Sequence, residues 1–169
     1  YEAYPNIHPI YMPWGVNTST YKKLPIEKEA TPNLHWFGDL YGDRVEKLTA
    51  LGQEVPVVKH EFTPLADLIT NMNKSYAIVN IASCVVDSTN KGIKGRLFEV
   101  PAVGTLLITE YAPGSEDYYE DGKEVVMFTA VPEAIEKIKY YFSHREEGNK
   151  IAEAGYQRTL RDHSYHQRF

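Results

Sequence analysis

Two runs constrain this chain more than any other feature: Tyr76-Ala77-Ile78-Val79-Asn80-Ile81 and Thr105-Leu106-Leu107-Ile108-Thr109. A strand with one wet face alternates polar and apolar side chains. These two runs do not alternate, so they read as interior parallel strands covered on both faces. Covering both faces takes two layers of helices, and the flanking sequence supplies them. Leu34-His35-Trp36-Phe37-Gly38 reads as a strand ending in a glycine turn, and Asp43 to Leu51 as a helix with Val45, Leu48 and Leu51 on one face and Gly52 as its stop. Val55 to Val58 predicts a second short strand. Leu65, Leu68, Ile69 and Met72 mark a second helix, with Thr63 at its N-cap and Pro64 at the first helical position. Arg96 to Val103 predicts a short helix stopped by Gly104, and Val125 to Phe128 the last strand. A helical stripe follows at Ile135, Ile138, Tyr141 and Phe142, and Ile151 to Leu160 predicts a final helix. Alternating strands and helices imply an α/β fold: a Rossmann-like, three-layer domain around a parallel sheet. Ligands of such sheets bind beyond the carboxyl ends of the strands, here Gly38-Asp39-Leu40, the 82–95 loop and the 110–122 loop.

The first 32 residues differ in character. Pro5, Pro9, Pro13, Pro25 and Pro32 punctuate them, so they read as an extended lead-in, with a short strand at Ile10-Tyr11-Met12 and a polar surface loop from Lys22 to Ala30. The domain itself is expected over residues 33–169. The chain opens on Tyr1 without an initiating Met, which suggests a piece of a longer protein. The net charge of −5 argues against a nucleic-acid partner, which would call for a basic stripe, but a local basic cluster can still hold a small anion. Cys84 is the sole cysteine, so an internal disulfide is excluded and a reducing, cytoplasmic setting is expected. Cys84 itself reads as a small, partly buried hydrophobe. No run approaches the roughly 18 apolar residues needed to span a bilayer. The thirteen tyrosines read first as packing residues, some of them half-buried at a cleft.

Chemistry concentrates in Lys91-Gly92-Ile93-Lys94-Gly95-Arg96-Leu97-Phe98-Glu99. Two glycines before a helix let backbone amides approach an anion, and Lys91, Lys94 and Arg96 crowd the same loop in an otherwise acidic chain. By charge pattern alone this is a solvated basic loop. Glu99 lies one helical turn on, among apolar Leu97, Phe98 and Val100. A carboxylate there needs partners, either an ion pair with Arg96 or the two hydroxyls of a ribose.

This segment resembles retaining glycosyltransferases of the GT-B fold. Their motif has two glutamates separated by seven residues, followed by Ala, three residues and Gly before a strand. Glu99-Val100-Pro101-Ala102-Val103-Gly104-Thr105-Leu106-Leu107-Ile108 is similar to its second half, and Arg96-Leu97-Phe98-Glu99 is closer still to a spore-maturation-type subgroup. Met12-Pro13-Trp14-Gly15-Val16-Asn17 resembles the family's entry into its second domain. The tail, with Tyr119 to Val126, Ile151 to Gly155 and Thr159 to Tyr165, is similar in style. The resemblance implies the C-terminal, nucleotide-sugar-binding half of a GT-B enzyme, with an acceptor-binding domain preceding it and no activity in this half alone. It places Glu99 on the donor ribose, Gly38 at the first strand end near the phosphates, and Arg44 on a phosphate-binding Lys position. Lys94 or Arg96 would compensate for Asp39, which stands where the family often has Arg. Lys91 stands where the family has the glutamate near the transferred sugar, so it would meet a phosphate or an acidic sugar instead. No catalytic residue is assigned.

Other chemistries lack their signatures. No Gly-x-Gly-x-x-Gly follows a strand, no Gly-Lys-Ser/Thr phosphate loop occurs, and no Gly-x-Ser-x-Gly elbow is present. Asp162, His163 and His166 lack further ligands at metal-binding spacing. GT-B transfer generally needs no bound metal, so the resemblance implies no cofactor, only a nucleotide-diphosphate sugar as donor. The alternatives are a non-catalytic Rossmann-like module that binds a ligand or partner, and a nucleotide-sugar epimerase of the same fold.

Overall fold

The computed structural model describes residues 12–84 and 89–169. Five strands, β1 (Leu34–Phe37), β2 (Val57–His60), β3 (Ala77–Asn80), β4 (Leu106–Glu110) and β5 (Val126–Phe128), form one parallel sheet in the order β2-β1-β3-β4-β5. The helices are α1 (Asp43–Glu54), α2 (Leu65–Lys74), α3 (Arg96–Ala102), α4 (Val131–Ser143), α5 (Arg145–Arg158) and α6 (Tyr165–Arg168). The two unalternating runs became β3 and β4, at the centre of the sheet and buried along their length.

Each face of the sheet has its own core. Leu34, Trp36, Ala77, Val79, Leu106, Ile108 and Val126 pack against Leu48 and Leu51 of α1, Ala134 and Ile138 of α4, and Ile151 and Ala152 of α5. On the other face, Phe37, Ile78, Leu107 and Met127 meet Met72 of α2 and Leu97, Phe98, Val100 and Ala102 of α3. Alternate residues of one strand serve opposite layers, the geometry that an all-apolar strand requires.

Several boundaries differ from the sequence expectations. Helix α1 runs through Gly52 to Glu54, where Lys139 of α4 holds the Glu54 carboxylate at 2.6 Å. Packing outweighs the roughly 1 kcal/mol cost of a helical glycine. Val45, expected on the buried face, is exposed. Val55 closes α1 by donating its N–H to Leu51, so β2 starts two residues later than expected. Pro64, not Thr63, takes the cap position of α2, and the Thr63 hydroxyl turns back to the Glu61 carbonyl. The last long helix is α5, which begins at Arg145 and ends at Arg158. Leu160 falls in a π-helical turn (Thr159–His163). Of the strand expected at residues 10–12, Ile10 and Tyr11 lie outside the described residues, and Met12 is in no strand.

Residues 22–32 are not a free surface loop. They form a strap across the amino ends of the strands. Asn73 of α2 accepts the Leu24 N–H and donates to the Lys22 carbonyl. Lys28 turns inward and donates to the carbonyls of Asn73 and Ser75 and to the Thr105 hydroxyl, at 3.3, 3.0 and 2.7 Å. Burial pushes its ammonium down to about 8. Upstream, Val16 is buried in the second core and pairs with Ser164, tying the start of the described chain to its end.

Candidate functional site

From β1 the chain crosses to β2 on one side of the sheet, then returns to β3 on the other. Successive connections therefore diverge at the carboxyl ends of β1 and β3 and leave a crevice between them. A cleft of about 310 Å3 lies there, lined by Trp14, Trp36, Phe37, Arg44, Asn80, Lys94, Gly95, Arg96 and Glu99. Four of the six residues singled out from sequence, Arg44, Lys94, Arg96 and Glu99, converge on it from two separate helices and the loop before α3.

Arg44 is in the first turn of α1, 8% exposed. Its guanidinium lies over the Tyr41 ring at 3.9 Å and near Trp36, and Nη1 donates to the Asp39 carbonyl. Its Nε is buried without a hydrogen-bond acceptor, so the group keeps donor capacity beside the crevice. Arg96 opens α3. It pairs with the Glu99 carboxylate one turn away and reaches the Phe37 carbonyl through Nε at 3.4 Å. Gly95 packs against the same carboxylate: a Cβ there would sit 3.3 Å from a Glu99 oxygen. Glu99 thus has both the ion pair expected from its spacing and a place on the cleft wall. Asn80, at the end of β3, donates to the Thr109 hydroxyl at 3.0 Å and forms part of the lining that sequence reasoning missed. Trp14, from the lead-in, is 56% exposed at the rim.

The remaining two sequence candidates behave differently. Gly38 has φ 140°, a conformation that favours glycine, and its carbonyl accepts the Trp36 indole N–H at 2.9 Å. It follows Phe37 at the edge of the crevice but is not in the lining. Lys91 is not in the crevice lining and pairs with Glu110 at 2.9 Å. The Gly92 amide is likewise engaged, with the Ala82 carbonyl.

Glu110, at the end of β4 and 2% exposed, organises a second polar cluster. It accepts from Lys47 at 2.7 Å, Lys91, and the Ala82 N–H at 3.0 Å. Asp43 closes the ring by accepting from Lys47 and from the Ser83 hydroxyl. Burial opposes charge on Glu110, but the hydrogen bonds from Lys47 and Lys91 outweigh it and hold the carboxyl below its usual range. The cations of this cluster are thus matched by its two carboxylates.

A larger cavity, about 530 Å3, lies past β5 between Tyr111, Tyr119, Met127, Phe128 and Arg158. Its wall carries Glu116, Glu120, Asp121, Glu124 and Glu133, a field that repels phosphate. Size does not decide between the two. Charge and the reversal of strand order both favour the smaller crevice. His163 serves packing: it bonds the Tyr118 carbonyl at 2.8 Å and sits against Phe98 and Tyr119. Among the described residues no group of three His, Cys, Asp or Glu converges as a metal site, and no helix is long and apolar enough to cross a membrane.

A family model described as glycosyl transferase-like matches residues 24–169. The chain belongs to that glycosyltransferase family. Solved structures agree in fold. The C-terminal domain of a group 1 glycosyl transferase (LpcC) from Francisella tularensis superposes with a TM-score of 0.71 at 12% identity, covering 89% of this chain and all of that one. Sucrose-phosphate synthase from Thermosynechococcus elongatus gives 0.68 at 10% identity, over 92% of this chain and 48% of that one. Anabaena Alr3699/HepE, in complex with UDP-glucose, gives 0.64 at 15% identity, over 89% of this chain and 52% of that one. The chain therefore spans about half the length of the latter two. The domain has the architecture of the C-terminal half of a GT-B glycosyltransferase. The comparison with curated protein sequences returned no significant match.

Proposed function

We propose that the crevice between β1 and β3 binds the nucleoside diphosphate part of a sugar donor, and that transfer takes place to an acceptor held by a preceding domain of a longer polypeptide. One observation carries the reading: the cations Arg44, Lys94 and Arg96 and the carboxylate of Glu99 line one cleft at the point where strand order reverses. An acidic group there can accept two hydrogen bonds from ribose hydroxyls, while the cations neutralise the diphosphate. During transfer, charge builds on the leaving diphosphate as the sugar gains oxocarbenium character. Cations fixed beside that oxygen lower the barrier. Arg96 is suited to both ends of this task, because its pairing with Glu99 can be exchanged for a phosphate without leaving the cleft. Lys91, neutralised by Glu110, is not a free cation for an acidic sugar. No metal or other cofactor enters this reading, and a reducing, cytoplasmic setting fits the single Cys84.

A thermal-shift panel of UDP, GDP, ADP and their sugars tests it, since a ligand that binds only the folded state raises the melting temperature. One nucleotide class should stabilise the domain, and Glu99→Ala should remove most of that shift. Stabilisation that survives Glu99→Ala unchanged would take the ribose role from Glu99.

A further inference from the structure

Beneath the crevice, a carboxylate and two imidazoles run in a line across the sheet. Glu29, on the strap, is fixed by the N–H groups of Asn33 and Tyr76 at 3.0 and 3.1 Å. Both its oxygens lie 3.1 Å from Nε2 of His35, the second residue of β1. Nδ1 of His35 lies 3.0 Å from Nε2 of His60, the last residue of β2. His60 in turn stacks on Phe37, with ring centroids 4.3 Å apart and planes within 5°. Phe37 is crevice wall, and its carbonyl accepts from Arg96.

We propose that Glu29, His35 and His60 form a proton-sensitive chain in which His60 is a positioning residue for the crevice, acting through Phe37 on Arg96. The geometry dictates the proton order. A carboxylate facing His35 Nε2 requires a proton on that nitrogen, so neutral His35 presents a lone pair at Nδ1. His60 must then donate from Nε2, which leaves its Nδ1 as the basic nitrogen. One added proton enters at His60 Nδ1 and breaks no bond in the chain. The resulting imidazolium lies on the face of Phe37, a cation–π contact, and its charge is relayed through His35 toward Glu29.

The charges acting on His60 are His35 on β1 and Glu29 on the strap. Lys59 and Glu61 flank it in the chain, Asp67 and Lys74 of α2 are exposed, and Arg96 of α3 donates through Nε to the Phe37 carbonyl. Burial, then His35, lower the His60 imidazole below its usual value, and Glu29 partly restores it. The chain therefore loads its proton below the usual imidazole value, and a cation then stands behind the wall of an anion-binding cleft.

The consequence for ligand affinity rests on the donor-binding reading, whereas the proton chain does not. Histidine side-chain NMR between pH 5 and 8 reads the chain directly. The expected result is a neutral His60 in the Nε2–H form, titrating below 6.5, with a lower midpoint in Glu29→Gln and with the Phe37 ring and Arg96 Nε resonances moving at the same midpoint. A neutral Nδ1–H form of His60, or titration that leaves Phe37 and Arg96 unmoved, would overturn the proposal. UDP-glucose is a suitable affinity probe because its own charge is constant over this range. Its dissociation constant should tighten about threefold as pH falls through the His60 midpoint that NMR reads, and His60→Phe should flatten that profile. A flat wild-type profile with measurable binding counts against the proposal. If UDP-glucose binds at no pH while the resonances still move together, the proton chain stands and the loss falls on the donor-binding reading for UDP sugars.

Discussion

Glu99 and Arg96 hold each other in the structure, and the ion pair has consequences for how each should respond to substitution. A carboxylate that accepts charge-assisted hydrogen bonds from a ligand contributes about 1.5–3 kcal/mol per bond. Glu99→Gln keeps the shape, and one oxygen as acceptor, but removes the charge. It should weaken nucleotide binding at least about tenfold by calorimetry while leaving the melting temperature within a few degrees, because both partners of the pair are partly solvated. Arg44→Ala should also weaken binding, and it carries an additional cost in packing against Tyr41 and Trp36. Glu110 belongs to a different class of residue, since it is buried and its work is structural. Glu110→Gln removes the buried charge that Lys47 and Lys91 share and should cost roughly 2–3 kcal/mol in urea denaturation. Its folded carboxyl titrates below the unfolded value of about 4.3. Its contribution is therefore complete above that value and is lost as pH falls through the folded one, so the difference between wild type and Glu110→Gln should shrink in acid.

At the scale of elements, two contacts invite tests. Gly155 of α5 lies against the backbone of the loop before β5, and a Cβ there would collide with the Glu124 carbonyl. Alanine normally gains about 1 kcal/mol over glycine in a helix, but here the obstacle is backbone and cannot swing aside. Gly155→Ala should lower the melting temperature, and a rise would contradict the packing of α5 on that loop. The strap offers the second. Lys28 is depressed to about 8, so between pH 8 and 9.5 the unfolded chain holds its proton more tightly than the folded one. Stability should rise with pH across that window, and Lys28→Met should remove the slope. Neither contact was legible in the sequence, because each joins residues distant along the chain. β3 and β4 were legible, since burial on two faces leaves an unmixed apolar run. β2 was misplaced by two residues because Val55 is apolar for a helix end rather than for a strand. His35 stood in plain view as a polar residue inside an apolar run, but its partners Glu29 and His60 come from separate elements. The convergence of Arg44 with Glu99 was visible only through family resemblance, and Lys91 turned to a carboxylate that no local spacing announces.

For the whole molecule, the claim is that one parallel sheet, reversing its strand order between β1 and β3, presents an anion-binding crevice to a sugar nucleotide, while the larger acidic cavity past β5 does not take part. Family membership establishes the glycosyltransferase fold and lineage. The crevice is what connects that lineage to this chain's own residues. Electrostatics separates the two cavities by sign, so a nucleotide diphosphate should discriminate between them without ambiguity. The most direct measurement is an amide and side-chain NMR titration of the domain with UDP-glucose, a GDP-sugar and an ADP-sugar. The account predicts saturable shifts at Phe37, Arg44, Asn80, Lys94, Arg96 and Glu99 with one of the three. Saturable shifts centred instead on Tyr111, Glu120 and Glu133, or none with any of the three, would contradict it.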